Sequence, residues 1–198
     1  EMTEERLIID PATGRVTAPP HPVFQGSRVI YTQDLSPSGE WIVFSTLGVR
    51  EDLFVVRADG TGYRQITDDA FRDRGPQWSP DGSRIAFLEV DGMWRRAAVS
   101  VVNVGDGKVT RIHDSLFGPG TPTWSPDGRR VAVAMVAPYS TRFREGTNQV
   151  LTMSAEGGGA RGDAHLVEQH HPPAHRLAGA RLGEGVALVV DQRAPGPA

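Results

Sequence analysis

One pentapeptide, Trp-Ser-Pro-Asp-Gly, occurs twice in this chain and constrains its fold more than any other feature. The copies occupy residues 78–82 and 124–128, and the twelve-residue stretches around them are identical at eight positions. A shorter copy, Ser-Pro-Ser-Gly, precedes them at residues 36–39. The closing glycines of the three copies are 43 and 46 residues apart. A period of this length indicates a repeat architecture.

The Ser-Pro-Asp-Gly core fits a type I β-turn at every position. Serine caps the turn, proline presets φ at the second position, aspartate tolerates the third, and glycine takes the left-handed fourth position of a bulged hairpin. Each copy therefore predicts the tip of a β-hairpin. The residues assigned to this structural motif are Ser36, Pro37, Gly39, Trp78, Ser79, Pro80, Asp81, Gly82, Trp124, Ser125, Pro126, Asp127 and Gly128.

Apolar runs recur at fixed distances from each hairpin tip. Residues 84–88 and 130–134 are partly β-branched and are typical of strands buried on both faces. Further strand-like runs lie at 53–56, 64–67, 99–102, 109–112 and 150–153. Four strands in a unit of roughly 45 residues are the blade of a β-propeller. The sequence thus predicts an all-β fold of four-stranded antiparallel blades, with three whole blades and a partial one.

The repeats divide the chain into blades and a tail. We predict a propeller region over residues 1–155, with blades at about 28–67, 73–113 and 119–155 and a half blade at 5–18. The half blade matches the third strand, turn and fourth strand of the later repeats, so we expect the first repeat unit to be an incomplete blade. Residues 18–22 hold three prolines and are interpreted as a connection rather than a paired strand.

The tail, residues 156–198, loses the repeat pattern. Two interpretations stay open: a degenerate or disordered end, or a hairpin at 181–191 that pairs with 7–17 and closes the half blade into a small ring. Three blades in an arc leave two apolar faces uncovered, and units of this kind are stable only when capped or closed. The sequence therefore predicts either missing blades of a larger propeller or self-association.

The repeat carries a resemblance to a known family. Its pattern is Pro-x-Trp-Ser-Pro-Asp-Gly-x-Arg-Ile/Val-Ala, with an upstream Ala-Asp-Gly-Thr-Gly turn and Ile-Thr ending. This resembles the TolB-type propeller repeat, which is WD-like in architecture but lacks the Gly-His and Trp-Asp signatures. The resemblance covers about residues 5–160. The family's Asp-x-x-Pro is kept at Asp73–Pro76 and lost in the third repeat. If this aspartate ties a loop to the neighbouring blade through its carboxylate, the third blade lacks that tie.

The resemblance implies a function. TolB-type propellers suggest a non-catalytic scaffold for protein–protein interaction, with protein or peptide partners at the propeller face or central channel. They also suggest a periplasmic or other extracytoplasmic setting, and the composition leaves the cytoplasm open. Because similar repeats accompany prolyl-oligopeptidase-like hydrolases, the alternative is the gating, substrate-access propeller of a serine peptidase. A small-molecule or sugar-binding propeller is a third hypothesis.

Composition and motifs exclude several other classes. The net charge of −3 and pI of about 6.1 give no basic surface for nucleic acid. Cysteine is absent, and no apolar run approaches the ~18 residues of a membrane span, so thiol chemistry and membrane insertion are not expected. The sequence has no Gly-x-Ser-x-Gly, P-loop or His-Glu-x-x-His motif, so we predict no catalytic residue and no cofactor.

Four histidines, His165, His170, His171 and His175, lie close together in the tail. Clustered imidazoles can bind zinc or nickel. However, a His-His pair followed by Pro-Pro holds no defined geometry, so we predict no metal site.

The remaining polar residues have structural interpretations, with one exception. Trp78 and Trp124 are expected to pack between blades, and the repeat aspartates to serve the turns. The pairs Glu51-Asp52 and Asp68-Asp69 are interpreted as solvated loop charge. The exception is the insertion at 138–147. Its Arg142, Arg144 and Glu145 form the candidate contact loop, because propellers carry recognition in such loops.

Overall fold

The computed structural model describes residues 2–10, 12–91, 96–138, 146–157 and 165–167. Within these ranges the chain is all-β, with three four-stranded sheets and one two-stranded sheet, each antiparallel throughout. The predicted fold class, three β-propeller blades and a partial one, is confirmed. No segment in these ranges forms a helix long and apolar enough to cross a membrane.

The two-stranded sheet comes first, and its strands lie mostly outside the predicted half blade at 5–18, where an isolated antiparallel bridge joins Ile9 to Val16. Strand β1 (Met2–Arg6) pairs with β2 (His21–Gly26), so the interpretation of residues 18–22 as an unpaired connection was wrong at its last two positions. The register shifts next to Glu5, the residue opposite Pro22. A bulge accepts a residue without an N–H donor, and this explains how proline enters the strand.

The first blade contains β3 (Val29–Leu35), β4 (Trp41–Leu47), β5 (Leu53–Arg57) and β6 (Arg64–Gln65), in that order across the sheet. The two central strands are buried on both faces over most of their length. Their near-continuous apolar sequences follow from this position, because a neighbouring blade or hairpin covers each face.

The second blade repeats this order with β7 (Arg72–Trp78), β8 (Arg84–Val90), β9 (Arg96–Asn103) and β10 (Val109–Phe117). Strands β8 and β9 pair without a register shift. Strand β10 continues five residues beyond the apolar pattern that predicted it, with two register shifts against β9.

The third blade contains β11 (Thr123–Trp124), β12 (Arg130–Pro138), β13 (Gly146–Ser154) and β14 (His165–Val167). The last strand lies within the segment predicted as tail, 156–198, so this blade does not end at about residue 155. An edge strand of three residues needs only backbone pairing with β13, and the repeat motif gives no sign of it. The predicted hairpin at 181–191 lies outside the described residues.

The three hairpin tips share one hydrogen-bonding scheme. In the second copy the Gly82 N–H donates to the Ser79 carbonyl at 2.9 Å, and the Ser79 hydroxyl donates to the Asp81 carboxylate at 2.6 Å. The glycines of the three copies have φ of 72°, 70° and 68°. Only glycine adopts this left-handed conformation without steric cost, so the turn requires it.

This geometry predicts the effect of a turn substitution. Gly82→Val or Gly128→Val places a β-branched residue at positive φ and should lower the free energy of unfolding by at least ~1 kcal/mol. Gly48→Val is the control, because Gly48 does not have positive φ and its added Cβ would make only an ordinary contact with the Arg50 carbonyl oxygen at 3.6 Å. Urea denaturation of the three variants measures the difference. Equal midpoints for all three would contradict the role of the turn.

Three apolar clusters join successive units. Val23 of β2 packs with Phe54 of the first blade, and Val55 of the first blade packs with Phe87 of the second. The third cluster joins alternate residues of β8 and β9 to those of β12 and β13. Each blade therefore buries its face against the next, as in a propeller.

Candidate functional site

The first strands of the three blades, β3, β7 and β11, converge. The Gly75 N–H of β7 donates to the Thr32 hydroxyl of β3 at 3.1 Å. The Trp124 indole N–H of β11 donates to the Gln77 carbonyl of β7 at 2.9 Å. In a propeller the blades converge on the central channel, so these strands form its wall.

A pocket of about 250 Å³ lies along this wall, and we call it the inner-strand pocket. Its floor is apolar and consists of Leu88, Val90 and Ala97 of the second blade. On one side Arg74 lies over the ring of Tyr31, with 4.9 Å between the guanidinium carbon and the ring centroid. The opposite side is the connection from the second blade to β11, and Arg96 completes the lining. No carboxylate is among the described residues that line it.

A difference between two repeats makes room for this pocket. The second repeat has Arg72-Asp73-Arg74 before its tryptophan, and the third has Gly118-Pro119-Gly120 at the same distance from Trp124. Two long arginine side chains are thus replaced by hydrogen atoms. A Cβ added at Gly120 would lie 3.7 Å from the Cβ of Ala134, an ordinary contact. The glycines therefore leave space that a side chain could fill.

A buried ion pair fixes the arginine side of the pocket. The Arg74 guanidinium donates to the Glu51 carboxylate, and the two side chains are only 5% and 2% exposed. Arg72, half-buried, lies 3.8 Å from the same carboxylate. Because Glu51 belongs to the first blade and Arg74 to the second, the pair also links the two blades.

The burial of Glu51 and Asp52 contradicts their interpretation as solvated loop charge. That interpretation holds for Asp68, which forms an exposed pair with Arg50 at 2.8 Å. The sequence did contain a signal: when the third strands of the repeats are aligned, Glu51 and Asp52 occupy the positions of Ala97 and Ala98. Both alanines are buried. Glu51, which holds Arg74 at the candidate site, is a residue that sequence reasoning missed.

Asp73 also lies at the junction of the first two blades and is fully buried. Its N–H donates to the Glu51 carbonyl at 2.6 Å. Neither carboxylate oxygen has a hydrogen bond of ordinary length to the described residues. The backbone of Asp73 therefore ties it to the neighbouring blade, and the group of that blade that interacts with its carboxylate is the Thr67 hydroxyl.

The environment of Asp73 disfavours its charged form. Burial is the main cause that raises the pKa of this carboxyl to about 8. The nearby carboxylates of Asp69, Glu89 and Asp52 add to the increase, and the Thr67 hydroxyl opposes it. Asp73 is thus protonated over most of the neutral range.

The repeat motif lies away from the pocket. Trp78 is buried against the first blade, and Trp124 packs on the cluster between the second and third blades. The pKa of Asp81 is lowered to about 2, first by the Ser79 hydroxyl and then by the Ser83 N–H. The pKa of Asp127 is also lowered, mainly by the Ser125 hydroxyl. These groups stabilise turns and are not arranged for chemistry.

Two of the sites considered in the sequence lie wholly or mostly outside the described residues. The contact loop with Arg142, Arg144 and Glu145 lies outside the described residues, as does most of the histidine cluster. In the part of the chain that the structure describes, no three His, Asp or Glu side chains are grouped so that they could hold a metal ion.

Sequence comparison finds short matches. No family model matches the sequence. A dipeptidyl-peptidase 5 from Porphyromonas gingivalis is 38% identical over 65 residues, which are 29% of this chain and 10% of that protein. The chain thus spans about a tenth of the length of this relative.

Structural comparison finds β-propellers. The structure of a putative TolB from Agrobacterium tumefaciens has a TM-score of 0.57 and 24% identity, covering 74% of this chain and 51% of that chain. The acylaminoacyl peptidase of Pyrococcus horikoshii has a TM-score of 0.56 and 12% identity, covering 73% of this chain and 26% of that chain. At these identities the likeness establishes the propeller fold, which TolB and peptidases share.

Proposed function

We propose that this chain supplies blades of a non-catalytic, TolB-like β-propeller that binds a peptide segment of a protein partner in the inner-strand pocket. The observation that carries the proposal is the pocket itself. It lies on the channel side of three converging blades and combines an apolar floor with polar groups held in place. A few fixed polar groups above an apolar surface are typical of ligand sites.

The size of the pocket and its rigidity support a peptide ligand. A volume of about 250 Å³ suits one or two amino-acid side chains rather than a large cofactor. Arg74 is held by Glu51, and Thr32 by hydrogen bonds to Gly75 and Ser45. Little side-chain order has to be gained on binding, which favours affinity.

A pocket-filling variant tests this function. Fluorescein-labelled hexapeptide pools are titrated against the chain, and binding is read as fluorescence anisotropy. Gly120→Leu should weaken binding at least about tenfold by occupying the pocket, because its Cβ is sterically allowed and the rest of the side chain takes the ligand's place. Gly48→Leu, away from the pocket, is the control. Equal binding to both variants would show that the peptide binds outside this pocket. If neither the wild-type chain nor the variants bind the peptides, the proposed function is wrong.

A second candidate function is the propeller of a serine peptidase. It is favoured by the match to dipeptidyl-peptidase 5 and by the likeness to acylaminoacyl peptidase. In that case the blades restrict access to a hydrolase domain encoded by the same gene. Release of a fluorophore from dipeptidyl-coumarin substrates by the full-length gene product would support this function. An inactive full-length product leaves the scaffold as the better proposal.

One face of the third blade is not covered by the described residues. Ala132, Ala134 and Val136 point away from the second blade and are not fully buried, and this chain spans only 51% of the putative TolB structure. We propose that further blades of a larger propeller cover this face, in an extracytoplasmic setting like that of TolB-type repeats. Light scattering gives the mass of the isolated chain. A value of 21.4 kDa agrees with blades supplied by the same gene, and twice that value indicates self-association instead.

A further inference from the structure

We propose that the inner-strand pocket recognises a carboxylate of its peptide ligand, and that Arg96 forms the ion pair with it. The inference rests on the proposed function and specifies the chemistry of the same site. Three observations support it: Arg96 has no ion pair with a described carboxylate, Arg111 binds two of the acids near it, and the described charged residues that line the pocket are both arginines.

Arg96 is an exposed cation, and no described carboxylate forms an ion pair with it. Arg96 is the first residue of strand β9, and it lines the inner-strand pocket. No carboxylate among the described residues lies within ion-pair distance of its guanidinium. A guanidinium carries five N–H donors, and none of them is used in an ion pair with a described carboxylate.

Two of the three acids that share a shallower pocket with Arg96 already have another partner. That pocket contains Glu89, Asp91 and Asp114. The Asp91 N–H donates to the Arg96 carbonyl at 3.2 Å, but no ion pair between the two side chains is among the described contacts. Arg111 binds the other two acids: it donates to Glu89 and lies 3.6 Å from Asp114. Glu89 also accepts the Ser100 hydroxyl at 2.7 Å. None of the ion pairs between described residues includes Arg96.

The pocket as a whole favours an anion. Arg74 and Arg96 line it and no carboxylate of the described residues does, while Glu51 neutralises Arg74 through their buried ion pair. The aromatic ring of Tyr31 and the hydroxyl of Thr121 add polar edges without charge. Arginine binds carboxylates through two parallel hydrogen bonds, which give both geometry and strength. A carboxylate with an apolar neighbour fits this surface better than an amine or an uncharged amide.

The experiment uses three labelled hexapeptide pools of equal length. One pool has free C-termini and no Asp or Glu, the second has amidated C-termini and one Asp or Glu, and the third is amidated and has no acid. Each is titrated against the wild-type chain, Arg96→Gln and Arg15→Gln, with anisotropy as the readout. Arg15 is exposed and is not among the residues that line the pocket, so it matches Arg96 in charge only. Thermal unfolding confirms that the variants are folded.

The outcomes separate the two proposals. We expect one acid-bearing pool to bind at least about tenfold more tightly than the acid-free pool. That advantage should be lost in Arg96→Gln and kept in Arg15→Gln. The pool that binds shows whether the carboxylate comes from a C-terminus or a side chain. Equal binding of all three pools would overturn the role of the carboxylate and leave peptide binding intact. Binding of none would overturn both.

Discussion

Arg74→Met is expected to lower the free energy of unfolding by about 3–5 kcal/mol, because it leaves a buried carboxylate without its main partner. Glu51 is 2% exposed at its side chain, so water cannot replace the lost hydrogen bond. Arg72 lies 3.8 Å away and compensates only in part. Urea denaturation followed by tryptophan fluorescence measures the loss.

Two controls test whether the loss of stability comes from the unpaired buried carboxylate. Arg50→Met removes an exposed pair with Asp68 and should cost no more than ~1 kcal/mol. The double variant Glu51→Met with Arg74→Met replaces the pair by apolar groups and should recover most of the stability. If the single and double variants unfold at the same urea concentration, the unpaired carboxylate is not the cause.

The second large effect concerns pH. Asp73 has a folded pKa of about 8 against an ordinary value of 3.8. Between these values the folded state holds a proton that the unfolded state has released, so the free energy of unfolding contributed by this group falls as pH rises. The slope approaches about 1.4 kcal/mol per pH unit, or about 3 kcal/mol from pH 5 to pH 7. The stabilisation is complete below the unfolded pKa and lost above the folded one.

Asp73→Asn tests this dependence directly. The amide is uncharged at every pH and resembles the protonated carboxyl, so the variant should gain stability over the wild type as pH rises from 5 to 7. Asp68→Asn, at an exposed position, should follow the wild-type profile within error. Comparing each variant with the wild type cancels the other titrating groups. Parallel profiles for wild type and Asp73→Asn would show that Asp73 titrates normally.

Much of the architecture could be predicted because the same turn residues and apolar runs recur in all three repeats. Serine, proline and glycine at fixed spacing define the hairpin tips, and apolar runs between them define strands with two covered faces. Local signals of this kind act within a few residues. They fail where a strand is held by pairing alone, as β14 is, or where a bulge accepts a proline, as at Pro22.

The candidate site could be predicted only in part. The sequence shows that the third repeat replaces Asp73 and Arg74 by Pro119 and Gly120, but only the converging strands turn this difference into a pocket. The burial of Glu51 likewise depends on the neighbouring blade, since a Glu-Asp pair in a loop is ordinarily solvated.

The sequence by itself therefore determined the repeat, its turns and the blade. The tertiary structure decided which charges are buried, which arginine is neutralised and which is left to face the pocket. The physical reason is that turn and strand preferences are local free energies of a few residues, whereas burial and ion pairing depend on groups far apart in the chain. Glu51 and Arg74 are 23 residues apart, and only the packing of two blades brings them together.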